Sequence, residues 1–131
     1  MLALTLNSFA AGEDRTNAIN ISSAGTQTLN GVKDANTITW FKIEPEAFGT
    51  NNMLTITLGG GNYGYVSIFN DEETDATEDY VIGGSNGLAL NPTIKKYHSD
   101  AASSVYVAIS QENKGGTARF TFSVAQPGET R

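Results

Sequence analysis

The chain of 131 residues has no cysteine, which excludes a disulfide framework, a thiolate nucleophile and cysteine-built zinc sites. A domain of this length buries enough surface to fold without such staples. Histidine occurs once, at His98, so no metal cage can be built on several imidazoles. Basic residues are scarce: eight Lys and Arg stand against fourteen Asp and Glu, for a formal charge of −6. They are scattered, and Lys95-Lys96 is their only adjacent pair. A surface of this sign opposes phosphate, so no nucleic-acid partner is expected. No apolar run approaches the ~20 residues that a helical bilayer span needs. The three prolines, Pro45, Pro92 and Pro127, fall between the strand-like segments, where a missing N–H does little harm.

What the chain does contain is alternation. Met53-Leu54-Thr55-Ile56-Thr57-Leu58 places Leu54, Ile56 and Leu58 on one side and the threonines on the other. Ser104–Ile109 and Arg119–Val124 repeat the pattern. Successive side chains leave a strand on opposite faces, so a period of two marks half-buried strands. The same reading predicts strands at Leu2–Leu6, Asn17–Ile21, Thr26–Val32, Thr37–Ile43, Tyr63–Asn70, Tyr80–Ile82 and Thr93–Tyr97. Gly, Asn and Asp mark most of the loops between them. Glu44–Phe48 reads as one helical turn, and no stretch sustains a 3.6-residue period. The expectation is a single all-β domain over residues 1–131, a sandwich or barrel of about eight to ten antiparallel strands.

Residues 1–12 admit two readings. Ser8, Ala10 and Ala11 suit the clipped end of a signal peptide, although no basic residues precede the short apolar part. Leu2, Leu4 and Leu6 alternate as a strand would, and the strand reading is preferred. A terminal strand of this kind can complete the sheet of another subunit.

Thr37–Ile43 breaks the rule. Ile38 and Trp40 share one parity, and Phe41 and Ile43 share the other. The sequence suggests a bulge near Trp40 or cover on both faces, with Trp40, the only tryptophan, anchoring the core between the sheets. Ile21, Leu29, Leu54, Val66, Val107 and Phe120 are among the residues expected to surround it.

The order of segments resembles bacterial pre-peptidase C-terminal domains. Trp40-Phe41-Lys42-Ile43 is similar to their aromatic strand, and Leu54–Gly61 to the next strand and its glycine turn. Tyr65–Asn70 resembles the strand that follows, and Val105–Ile109 with Phe120–Val124 resembles a final hairpin. Two departures stand out: Ser103-Ser104 where a glycine is usual, and Asn62-Tyr63-Gly64 in place of an aspartate-bearing turn. The resemblance spans about Asn17 to Val124. It implies a jelly-roll-like sandwich, a non-catalytic appendage of secreted hydrolases. Some such domains bind collagen or other polymers, some with calcium. Fold resemblance assigns no site by itself.

Two acidic sets are candidate calcium ligands. Asp71–Asp79 holds six carboxylates in nine residues, with Asp71, Glu73 and Asp75 in alternation. It is not an EF-hand loop, because Ala76 occupies the sixth position where the turn needs glycine. The second set, Glu13, Asp14 and Asn17 with Asp34 and Asn36, lies where the resemblance places ligands. A solvated acidic loop is the plainer account of both.

Catalytic signatures are missing. Gly59–Gly64 matches G-x-G-x-x-G in letters, but a strand rather than a helix follows, so a glycine-rich hairpin turn is expected. His98 is followed directly by Ser99 and Asp100, and immediate neighbours cannot converge as a triad. Asn20-Ile21-Ser22 is a glycosylation sequon within a strand-like segment.

Aromatics are the remaining signal. Tyr63, Tyr65 and Phe69 lie opposite in parity to Val66 and Ile68, and Tyr106 lies opposite to Val105 and Val107. They are expected to face away from the core as a contact platform for a sugar or an extended polypeptide. The expected function is therefore a non-catalytic, secreted binding or accessory module for a polysaccharide or protein polymer. The alternative is a filament or shell subunit that pairs with further copies through Leu2–Leu6.

Overall fold

The alternation converts directly into strands. The structure, a computed structural model, describes residues 11–30, 37–48, 53–61, 63–71, 73–97, 103–111 and 116–123. These hold β1 (Ile19–Ile21), β2 (Gly25–Thr28), β3 (Ile38–Ile43), the single helical turn α1 (Pro45–Phe48), β4 (Met53–Gly59), β5 (Gly64–Asn70), β6 (Glu78–Ile82), β7 (Thr93–Tyr97), β8 (Val105–Gln111) and β9 (Thr117–Ser123). The architecture is the expected all-β sandwich. One sheet runs β1-β3-β8-β5-β6 and the other β2-β9-β4-β7. The segments Leu2–Leu6, His98 and Val124, about which the sequence raised expectations, lie outside the described residues.

Three expectations about connectivity need correction. Only β5 and β6, among the described strands, are sequential neighbours within one sheet; every other connection crosses between sheets. The Gly59–Gly64 segment is thus a crossover from β4 to β5 and not a hairpin turn. Likewise β8 and β9 form no hairpin, since β8 lies inside the five-stranded sheet and β9 inside the four-stranded one. Nor is the pairing wholly antiparallel: β1 runs parallel to β3, with Ile19 opposite Phe41.

The core sits between the sheets. Phe41 of β3 meets Phe120 of β9 with ring centroids 4.8 Å apart. Phe48, on α1, closes one side edge-on against Phe122 at 5.4 Å. Leu54, Ile56, Leu58, Val66, Ile68 and Val107 are buried around them, as expected.

Trp40 is not in that core. β3 alternates without a bulge, turning Thr39, Phe41 and Ile43 inward and leaving Ile38, Trp40 and Lys42 partly exposed. The register decides this, because Phe41 pairs with Val107 and Trp40 with Ala108, and β8 turns Val105, Val107 and Ile109 inward. Thr39 can accompany them because its Oγ1 accepts the Asn30 amide at 2.7 Å. Trp40 instead lies on the outer face, 5.3 Å from Phe69. No helix among the described residues is long and apolar enough to cross a membrane.

Two substitutions test this division of labour. Phe41→Ala should cost about 3–5 kcal/mol of unfolding free energy by urea titration, the usual loss for a buried Phe. Trp40→Phe should cost less than about 1.5 kcal/mol, because much of the ring contact is kept. Equal losses would place the two residues wrongly.

Candidate functional site on the outer face of the five-stranded sheet

Strand register lays the outward side chains in rows. One row runs Ile38, Ser110, Tyr65 and Val81 across β3, β8, β5 and β6. The next is Trp40, Ala108, Ser67 and Asp79, and the third is Lys42, Tyr106 and Phe69. Small residues at the centre, Ala108, Ser67 and Ser110, leave a trough of about 190 Å³ bordered by Ile38 and Tyr65.

The third row is covered. The Arg15 guanidinium lies 4.3 Å from the Tyr106 ring centroid and 5.2 Å from that of Phe69. The same group donates to the carbonyls of Asn70, at 3.2 Å, and Glu73. Arg15 is seated by a loop fixed at Gly12, whose carbonyl accepts the Trp40 amide at 2.7 Å and whose amide donates to the Asn17 carbonyl at 2.7 Å. Gly12 has φ +86°, and a side chain there would press on Ile19, Thr39 and the Trp40 carbonyl. Lys42 adds a second cation 5.8 Å from the Tyr106 ring. Tyr106 first, then the Glu44 carboxylate, pushes the Lys42 ammonium above its ordinary value. Of the four aromatics expected to form a platform, Phe69 and Tyr106 are therefore only partly accessible.

The first row is open. Tyr65 is 56 % exposed, Val81 46 % and Tyr63 45 %. They line a second hollow of about 190 Å³ with Gly64, Gly83 and Gly84. Tyr65 borders both hollows, which lie side by side at this residue and together are termed the groove. Tyr63 is held in place: its ring lies on Gly83, where φ is +83° and any Cβ would collide with the ring. The surrounding loops brace one another. The Gly61 amide donates to Asn91 Oδ1 at 2.6 Å, and the Gly83 amide to the Leu88 carbonyl at 2.8 Å. Gly83 was not singled out from the sequence, because its role depends on a ring twenty positions earlier in the chain.

The acidic sets behave differently from a cage. Asp14 Oδ1 accepts the Asn17 amide at 2.9 Å and Asn17 Nδ2 at 3.1 Å. Asp71, Glu73 and Asp75 are exposed, and Arg15 brings the two segments together by taking the Asn70 and Glu73 carbonyls. Among the described residues, no three Asp, Glu or His converge on a point. Asp34 and Asn36 lie outside the described residues.

A group of titratable side chains with shifted values lies at the sandwich edge instead. Lys96 faces inward from β7 and donates to Glu78 Oε1 of β6 at 2.5 Å, and the Tyr80 hydroxyl donates to Glu78 Oε2. These hydrogen bonds, Lys96 first, hold the Glu78 carboxyl below its ordinary value. Burial, then the Glu78 carboxylate, pushes the Tyr80 phenol up to about 12. Their geometry is that of a clasp between the edge strands of the two sheets.

Compared with known proteins, the chain matches no family model, no curated protein and no solved structure.

The clasp predicts a pH dependence. Tyr80 is raised from 10.0, so its contribution is complete below pH 10 and is lost as pH rises through about 12. Glu78 is lowered from 4.5, so its contribution is present above that value and is lost as pH falls through the depressed one. Urea midpoints followed against pH should lose the alkaline slope in Tyr80→Phe and the acid component in Glu78→Gln. Unchanged slopes would remove the clasp. At the covered row, Arg15→Ala should cost about 1–2 kcal/mol of unfolding free energy by urea titration. An unchanged midpoint would mean that the guanidinium adds nothing to holding that row.

Proposed function

We propose that this domain is a non-catalytic binding module for an extracellular polymer, and that it holds the polymer on the outer face of its five-stranded sheet. The observation that carries this reading is where its exposed apolar surface lies. Among the described residues, four large hydrophobic side chains are exposed: Tyr63, Tyr65, Val81 and Leu90. Three of the four, Tyr63, Tyr65 and Val81, line one hollow. Single exposed apolar residues are ordinary on a protein surface; a group around one concavity marks a contact site. Tyrosine suits such a site because its rigid ring gives contact area at small entropic cost.

The motif order of pre-peptidase C-terminal domains supports the same reading and supplies the secreted setting, as an accessory to an attached enzyme. The assembly alternative rests on Leu2–Leu6, outside the described residues, so the outer face carries the proposal. The calcium candidates Glu13, Asp14, Asn17, Asp71, Glu73 and Asp75 line neither hollow, so the contact is proposed without a metal.

The double variant Tyr63→Ala/Tyr65→Ala should lose at least about tenfold in affinity in pull-downs with insoluble polysaccharides and immobilised gelatin. Its thermal midpoint should stay close to that of the unaltered chain, since both rings are largely outside the core. Retained capture would move the contact elsewhere. Added calcium should leave that midpoint unchanged; a rise reversed by chelator would mean that Asp34 and Asn36 complete a site with Glu13 and Asp14.

A further inference from the structure

From the chemistry of the groove, we infer that its occupant is a neutral polysaccharide chain; this rests on the outer-face reading above. Three features of the groove lead there. The first is the state of the backbone beneath it. β5 is paired to β8 on one side and β6 on the other, and β8 is paired to β3 and β5. Their main-chain groups are spent within the sheet, so an extended polypeptide lying across the face finds none to pair with. Peptide addition needs a free edge, and where the groove reaches the edge strand β6, at Val81 and Ile82, Leu88 already takes the Val81 carbonyl and bridges Ile82. A sugar needs only side-chain partners.

The second feature is the charge of the lining. The described side chains around the groove include no Lys or Arg. Ser67, on its floor, donates to Asp79 Oδ1 at 2.5 Å, which puts a carboxylate at the rim. The chain as a whole carries −6. The two cations on this face, Arg15 and Lys42, gather at Tyr106 in the third row, where they are already engaged. A polyanion would meet repulsion and no counter-charge.

The third feature is the pairing of ring and hydroxyl. Tyr63 and Tyr65 offer apolar surface for the C–H face of a pyranose, while Ser67, Ser110 and Asp79 offer acceptors and donors for its hydroxyls. Ser110 Oγ already accepts the Tyr65 amide at 3.1 Å, which fixes its position and leaves its own proton to donate. The row from β3 to β6 crosses three strand spacings, roughly 14 Å, enough for a short run of sugar rings. Tyr63 is set before any ligand arrives, because Gly83 leaves room for its ring and for nothing larger than a hydrogen atom.

The test is affinity electrophoresis of the full chain through gels that contain a soluble neutral glycan (β-glucan, xylan or galactomannan), the polyanion alginate, or gelatin. Retardation is expected with at least one neutral glycan and with neither alginate nor gelatin. Tyr63→Ala and Tyr65→Ala should each weaken that retardation about tenfold. Gly83→Ala should weaken it while both tyrosines remain, through displacement of the Tyr63 ring. Asp79→Asn, an exposed change that leaves the fold in place, supplies a variant free of any folding defect; it should weaken neutral-glycan binding severalfold. Retardation by alginate or gelatin alone would overturn the neutral-glycan assignment and leave the binding module standing. Retardation by a neutral glycan that survives both tyrosine variants would overturn the site. No retardation in any of the three gels would overturn the module reading as well.

Discussion

Phe41 facing Phe120 across the gap between the sheets sets the orientation of everything outside it. Side chains alternate, so committing one residue of β3 to the interior commits Ile38, Trp40 and Lys42 to the exterior. Pairing with β8 then carries the choice across the sheet: Val107 goes in, and Tyr106, Ala108 and Ser110 go out. β5 follows through its own pairing, which turns Tyr65, Ser67 and Phe69 outward. A slip of one residue in any of these ladders would bury the charged and hydroxylated rows and expose the core. The outer face is thus a consequence of packing on the other side of the same strands.

The strands themselves were legible because Thr and Ser separate the apolar residues of β4 and β9. The helical turn expected at Glu44–Phe48 begins at Pro45, where the absent N–H costs nothing. β3 misled for a definite reason. Thr39 is inward and polar while Trp40 is outward and aromatic, which inverts the usual correlation of polarity with exposure. What makes Thr39 tolerable is a hydrogen bond from Asn30, nine positions earlier, and local pattern carries no trace of it. The two false hairpins have a related cause. Alternation specifies a strand and its buried face, but both sheets bury one face, so it does not say which sheet a strand joins. Within the candidate site, Tyr63 and Tyr65 could be found by parity alone. The cover on Phe69 and Tyr106 could not, since it comes from Arg15, more than fifty positions from Phe69 in the chain.

Charge is used on this molecule to fasten edges. The Glu78–Tyr80–Lys96 clasp joins the outermost strands β6 and β7, where the sandwich would otherwise be open to water. Ion pairs this accessible contribute little energy in general, on the order of 1 kcal/mol or less. Two partners on one carboxylate improve on that by satisfying both of its oxygens. Arg15 does comparable work at the far row, where one guanidinium serves two rings and two carbonyls. An arginine suits this task because its planar fork can stack and donate at once, which a lysine ammonium cannot do. The acidic residues near it thus sit beside a cation that the chain itself provides.

The unequal treatment of the aromatics is the strongest reason to regard the open row as a working surface. The fold covers Phe69 and Tyr106 with Arg15 and sets Trp40 against Phe69, so it has the means to shield rings on this face. At the other end the opposite is done. Tyr63 and Tyr65 stay roughly half exposed, and a glycine at positive φ holds the first of them in position. Glycine costs about 0.5–1 kcal/mol in chain entropy where another residue would serve. At Gly83 another residue would not serve, because its Cβ and the Tyr63 ring need the same space. Ring position and glycine therefore depend on each other. Stability alone would favour a buried or absent ring at this place, whereas a contact that needs a preset aromatic surface would favour the arrangement found.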